Sequence, residues 1–267
     1  MKNFIKIFLF LLSLLFFLFP NSFFSTFSSK NIKTLNITNS TVPSQIIKIL
    51  KYDISWGPLK LGEAKLYIKN EKYTAEVYTV GIGDFIYPYY AKWETYIDPE
   101  GYPLKSLIYS KHKSKERKRE IIFDKKNGRV IYKKFLPKPK NPKIIFIKYP
   151  IYDELSAFIK SFGLDYSKNQ IYEMPLFIKK RKEFVKIKFK KEKKCKFFNE
   201  NRTCYLIKVE LPPVSELLKR AGKSEMELLK NERYPVKLKG KLPLLGSLIG
   251  KLKEVKVLKV PCKNIKM

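Results

Sequence analysis

The chain has 267 residues, with 56 lysines and arginines against 24 acids and a formal charge of +32 at pH 7. One histidine and three cysteines leave no composition for a zinc site, and no cofactor is expected. The acids are too few for ion-pair networks to account for the basic excess, so the field either attracts anionic partners or reflects a lysine-rich surface.

Residues 1–28 read as a secretory signal peptide. Lys2 and Lys6 precede an apolar run from Ile7 to Phe19, and Thr26-Phe27-Ser28 offers a small-x-small cleavage site. Thirteen residues fall short of the roughly 20 that a spanning helix needs. An uncleaved N-terminal anchor is the alternative. Residues 29–47, rich in Asn, Ser and Thr, read as a linker, and 48–267 as a single β-rich domain. Losing two lysines with the signal leaves a mature charge of about +30. Export would put the protein outside the cytoplasm, where nucleic acid is the least accessible anionic partner.

From Lys51 onward the hydrophobic period is two. Tyr73, Ala75 and Val77 share one strand face; so do Val185, Ile187 and Phe189, with lysines between them, and Tyr205, Ile207 and Val209. This alternation predicts half-buried antiparallel strands with a wet basic face. Asp98-Pro-Glu-Gly101 and Asp124-Lys-Lys-Asn-Gly128 are turns. Leu136 to Pro142 reads as an extended, proline-stiffened crossing. One helix is predicted: Asp153 caps it, Leu155, Phe158, Ile159 and Phe162 form its apolar stripe, and Gly163 ends it. Val214–Lys219 is a short second candidate, and Glu225–Lys230 could be helix or strand. The fold class is α+β, mainly β: a long antiparallel curved sheet or open barrel with one packing helix.

Cys195 and Cys204 flank a turn-like segment and are expected to form a disulfide across a hairpin in an oxidising compartment, or else to be two reduced core residues. Cys262 is left unpaired. His112, the single histidine, sits in the basic run Lys111–Arg119 with Glu116 as the one acid near it; it is expected to be solvated and not catalytic. Asp53, Glu63 and Glu94 show no acid–base spacing, and the glycines make no phosphate loop. The protein is therefore not expected to be an enzyme; an uncharacterised hydrolase is the third-ranked reading.

Three segments resemble the bacterial family known as domain of unknown function 3108: Tyr52-Asp-Ile-Ser-Trp56 through Leu66, Asp153-Glu-Leu-Ser-Ala157, and Arg233-Tyr-Pro-Val236 followed by Leu245-Gly-Ser247. They span about Lys51 to Val255. The resemblance implies an exported protein with a curved sheet or open barrel around a helix, similar to periplasmic lipid carriers. It also implies strands at Glu225–Lys230 and Leu244–Leu252. It implies no reaction.

Two tracts are candidate ligand-binding surfaces. Phe85, Tyr87, Tyr89, Tyr90 and Trp93 suit the mouth of a β-cavity, or core packing. Strand alternation would put Lys111, Lys113, Lys115 and Arg117 in one row for anionic head groups, or on a solvated edge. The leading expectation is a non-enzymatic binding or carrier protein for an amphipathic, anionic envelope component such as a lipid, or for a membrane surface. The alternative is an interaction protein of envelope assembly, with a protein partner and a fully packed sheet.

Overall fold

A computed structural model describes residues 44–168, 170–212, 224–242 and 246–261. The signal peptide, most of the predicted linker, Val214–Lys219 and Cys262 lie outside these residues.

Among the described residues, fourteen strands follow one another: β1 (Ser44–Trp56), β2 (Leu59–Ile68), β3 (Lys72–Thr79), β4 (Tyr89–Ile97), β5 (Pro103–His112), β6 (Lys115–Asp124), β7 (Arg129–Leu136), β8 (Lys140–Phe146), β9 (Ile171–Ile178), β10 (Arg181–Phe197), β11 (Glu200–Glu210), β12 (Ser224–Leu229), β13 (Pro235–Leu242) and β14 (Gly246–Pro261). A short helix α1 (Ile82–Ile86) precedes β4, and α2 (Glu154–Lys160) lies between β8 and β9. Among the described residues, no helix is long and apolar enough to cross a membrane.

The strands form one sheet in the order β8-β7-β6-β5-β4-β3-β2-β1-β14-β13-β12-β11-β10-β9, every neighbour antiparallel. The first and last strands pair at its middle, and the ladder is broken only between β8 and β9. Laid flat, β6 and β9 would be about 50 Å apart at the usual strand spacing. Yet the rings of Phe123 on β6 and Phe177 on β9 meet edge to face with centroids 6.1 Å apart. The sheet therefore curls until its two edges nearly meet, giving the open barrel that the alternation predicted.

No backbone ladder joins β8 to β9; side chains close most of the seam. Ile121, Phe123 and Val130 pack with Ile151 and Phe177, and the Tyr149 hydroxyl donates to the Arg129 carbonyl at 2.9 Å. Burial, with the charge of Asp124, pushes the Tyr149 phenol up to about 12. The connecting segment also extends β9: the Tyr152 N–H donates to the Pro175 carbonyl, and the Phe177 N–H to the Tyr152 carbonyl.

Helix α2 fills the concave side. Asp153 caps it, as the sequence predicts, in a capping box with Ser156; the α-helix stops at Lys160 and a 3-10 turn, Ser161–Gly163, takes the place of its predicted last turn. Leu155, Ala157, Ile159 and Phe162 form one core with Leu50, Leu66, Met174, Leu176, Val185, Ile187, Ile207 and Met226. Cys195 and Cys204 are joined in a disulfide, Cα atoms 5.9 Å apart, beneath Leu229 and Val236.

Two sequence expectations need correction, and one alternative is decided. Ser44–Ile47 is strand, already paired with β14, so the predicted linker runs too far. Residues 136–142 do not cross the structure: they turn β7 directly back into β8. Residues 225–229 are strand, as the resemblance implied and helix propensity did not, and β14 takes up 246–252.

Candidate functional site

Strand alternation assigns each side chain to the concave or the convex face. Leu50, Leu66, Ala75, Trp93, Ile108 and Arg119 occupy one rung of the concave face, each opposite the next.

At the centre of this face is a buried carboxylate. Asp153 has no exposed surface. Its Oδ1 accepts the Ser156 N–H at 2.7 Å, while Oδ2 accepts the Trp93 Nε1–H at 3.2 Å and the hydroxyls of Thr95 and Ser106. Thr95 and Ser106 are themselves wholly buried. Neutral donors from β4 and β5 thus pin the N-terminus of α2 to the sheet. Such a group is a fastener, because all of its partners are already engaged and water is excluded. The sequence showed Asp153 only as a cap.

The predicted aromatic tract is dispersed. Phe85 projects from α1 and is 80% exposed. Tyr87 stacks on His112 with ring centroids 3.9 Å apart, and Tyr89 lies opposite His112 in the β4–β5 ladder. Tyr90 tilts against Tyr109, while Trp93 is turned inward to Asp153. His112 is half-buried and stacked, not solvated as expected.

The predicted basic row does not exist. The run Lys111–Arg119 turns back on itself at Lys113, whose φ is +53, so that His112 faces Lys115, Lys111 faces Glu116 and Ser110 faces Arg117. Lys115 and Arg117 fall on the concave side, while Lys111 is on the convex side, ion-paired to Glu116 at 3.1 Å. Asp53, Glu63 and Glu94 are ion-paired as well, with Lys60 or Lys72. The Lys60 ammonium, then the Tyr78 hydroxyl, hold the Glu63 carboxyl below its ordinary value.

An open cleft of about 630 Å³ lies at one end of the sheet, beside the C-terminus of α2. Ile46, Ile68, Tyr73 and Ile97 form its apolar walls, and Lys48, Lys69 and Lys160 bring cations to it. Glu100 is the acid among its lining residues; the Lys160 ammonium donates to the Glu100 carbonyl at 3.2 Å. None of these residues was singled out as a binding residue from the sequence, because they come from β1, β2, β3, β4, the turns that join them or lead to β5, and α2.

The model of the family described as protein of unknown function (DUF3108) matches residues 51–253, and the chain belongs to that family. No curated protein resembles the chain closely enough to count as a relative. Among solved structures, it is similar to a beta-barrel-like protein of domain of unknown function DUF1849 from Brucella abortus. That match has 12% identity and a TM-score of 0.50, and covers 81% of this chain and 98% of the other. A DUF1089 family protein from Pseudomonas aeruginosa matches over the same shares at 11% identity and a TM-score of 0.36. The first of these supports the barrel-like fold.

Proposed function

We propose that this DUF3108 protein is an exported, non-enzymatic binding or carrier protein for an amphipathic anionic molecule, such as a lipid of the cell envelope. The observation that carries the reading is the cleft: apolar walls with lysines among them, in a volume within the ~300–1,000 Å³ range of small-molecule sites. A hydrocarbon chain would lie against Ile46, Ile68, Tyr73 and Ile97. Its anionic head would face Lys48, Lys69 and Lys160. The disulfide fits an oxidising compartment, and the net charge draws anions toward the surface.

The test is titration of the purified protein with a fluorescent sixteen-carbon fatty acid and with the matching neutral alcohol. Saturable binding that prefers the acid is expected. Reversing charge with Lys48→Glu and Lys160→Glu is expected to weaken the acid by about tenfold or more while leaving the alcohol nearly unaffected. A flat titration, together with no lipid in an organic extract of native protein, refutes the reading.

A second reading, an interaction protein of envelope assembly, draws on the packing of α2 into the middle of the concave face. It also draws on Ile144 and Phe146 of edge strand β8, which are 54% and 79% exposed. Cross-linking of one envelope protein through β8, with no lipid bound, would favour it.

A further inference from the structure

Strands β6, β7 and β8 sort their charges by face. Ile121 and Phe123 mark the concave side of β6, which places Arg117 and Arg119 there too. Val130 and Tyr132 mark the concave side of β7, and the next residue on it is Lys134, opposite Arg119. On β8, Lys143 lies opposite Tyr132 and Lys140 opposite Lys134. The carboxylates of these strands, Glu116, Glu120 and Asp124, are on the convex side, paired with Lys111, Lys133 and Arg129.

A fourth lysine reaches the cluster from across the seam. Ile178 pairs with Arg181, so Lys179-Lys180 is a two-residue turn. Both have positive φ, +47 and +68, a conformation for which Asn-Gly is the favoured sequence and which strains lysine. The turn sets the Lys180 ammonium 4.9 Å from the centre of the Tyr132 ring. Burial, and then the charges of Lys143, Lys140 and Lys134, hold the Lys180 ammonium below its ordinary value.

Among the described residues, Lys134, Lys140, Lys143 and Lys180 make no ion pair, although acids serve the opposite face of the same strands. Like charges directly opposite on a sheet, here Lys134 and Lys140, are destabilising. A strained turn adds a fourth charge to them. The repulsion is relieved by a multiply charged anion, and lysine ammoniums are good point-charge ligands for phosphate.

We propose that Lys134, Lys140, Lys143 and Lys180, beside Tyr132, form a binding site for an oligophosphate group, free or carried on a lipid head. Several charges are needed to match four cations from three segments. The site lies on strands other than those lining the cleft and stands independently of it.

The test measures binding of inorganic tripolyphosphate, and of phosphatidylcholine vesicles carrying a bisphosphorylated lipid, to three proteins. These are the parent, the seam variant Lys134→Gln/Lys140→Gln/Lys143→Gln, and a control that loses equal charge from exposed positions, Lys188→Gln/Lys194→Gln/Lys196→Gln. The seam variant is expected to lose at least tenfold in tripolyphosphate affinity, and the control less than threefold. A further variant, Lys179→Asn/Lys180→Gly, is expected to melt at a higher temperature than the parent yet bind tripolyphosphate more weakly, which misfolding would not produce. Binding to both probes assigns a lipid head group, and binding to tripolyphosphate alone assigns a soluble oligophosphate. No saturable binding of tripolyphosphate, or an equal loss in the seam and control variants, overturns the proposal.

Discussion

Replacing Asp153 is the sharpest probe of how the helix is held in the sheet. Asp153→Ala removes the cap of α2, worth about 1 kcal/mol. It also strips the acceptor from the Thr95 and Ser106 hydroxyls, both wholly buried, at about 1–3 kcal/mol each. Allowing for partial relaxation, the loss should be about 3–5 kcal/mol, a large share of the 5–15 kcal/mol typical of a folded domain. Asp153→Asn should cost less, because the amide oxygen can still accept from one side of the cluster while the hydroxyls reorient. Urea unfolding followed by tryptophan fluorescence is the assay, since Trp93 donates to the same carboxylate. Combining Asp153→Ala with Thr95→Val should destabilise by less than the sum of the two, because the second change removes a donor that the first left without an acceptor. If Asp153→Ala unfolds within about 1 kcal/mol of the parent, or if the two changes simply add, Asp153 does not fasten the helix to the sheet.

Three further outcomes are expected. Replacing Cys195 and Cys204 together with alanine should cost about 2.7 kcal/mol by loop entropy in denaturant unfolding; because Cys195 is 6% exposed and Cys204 not at all, dithiothreitol should leave the bond intact until urea opens the fold, as counted by thiol labelling. Glu63 has its carboxyl lowered on folding by Lys60 and Tyr78, so its contribution is present above the unfolded value of about 4.3 and is lost as pH falls through the folded value. The stability gap between the parent and Glu63→Gln should accordingly be flat above pH 6 and shrink below pH 4. Gly83→Ala should displace α1, because an added Cβ would stand 1.9 Å from the Leu61 carbonyl oxygen; a loss of about 1–3 kcal/mol in thermal melts, with faster exchange of the α1 amides, is the expected result.

Local chemistry in the sequence announces local structure. Tyr73 and Ala75 share a face because that side of β3 packs on the core, and Asp153 with Ser156 marks a helix start within four residues. The hairpin at Lys113 was hidden for the same reason: in KHKSKERKR no glycine, proline or asparagine marks the turn, and lysine occupies the positive-φ position. Alternation carried through such a run predicts a row that the fold then doubles back. The partners of Asp153 lie 47 to 60 residues away, and no periodicity links them. The cleft and the seam cluster are likewise made of residues brought together by curling. Lysine is also so common in this chain that the four seam lysines could not be told from the rest by composition.

The break between β8 and β9 follows from the position of α2. The helix is formed in mid-chain and packs on the concave side, so the chain must leave the sheet to place it and return to resume pairing. A complete ladder of hydrogen bonds between β8 and β9 would leave that segment no way in. Each exposed edge is then managed separately. The Tyr152 backbone bonds along β9, in parallel, before the helix begins. On β8, Pro142 removes a donor, and the lysines at 140 and 143 discourage another strand from adding to the edge. The concave-facing lysines at this edge are also the ones that meet Lys180. The cations that keep the edge from aggregating and those that would receive an oligophosphate are therefore partly the same. On this argument, seam variants that abolish anion binding should also be the ones most prone to self-association through β8.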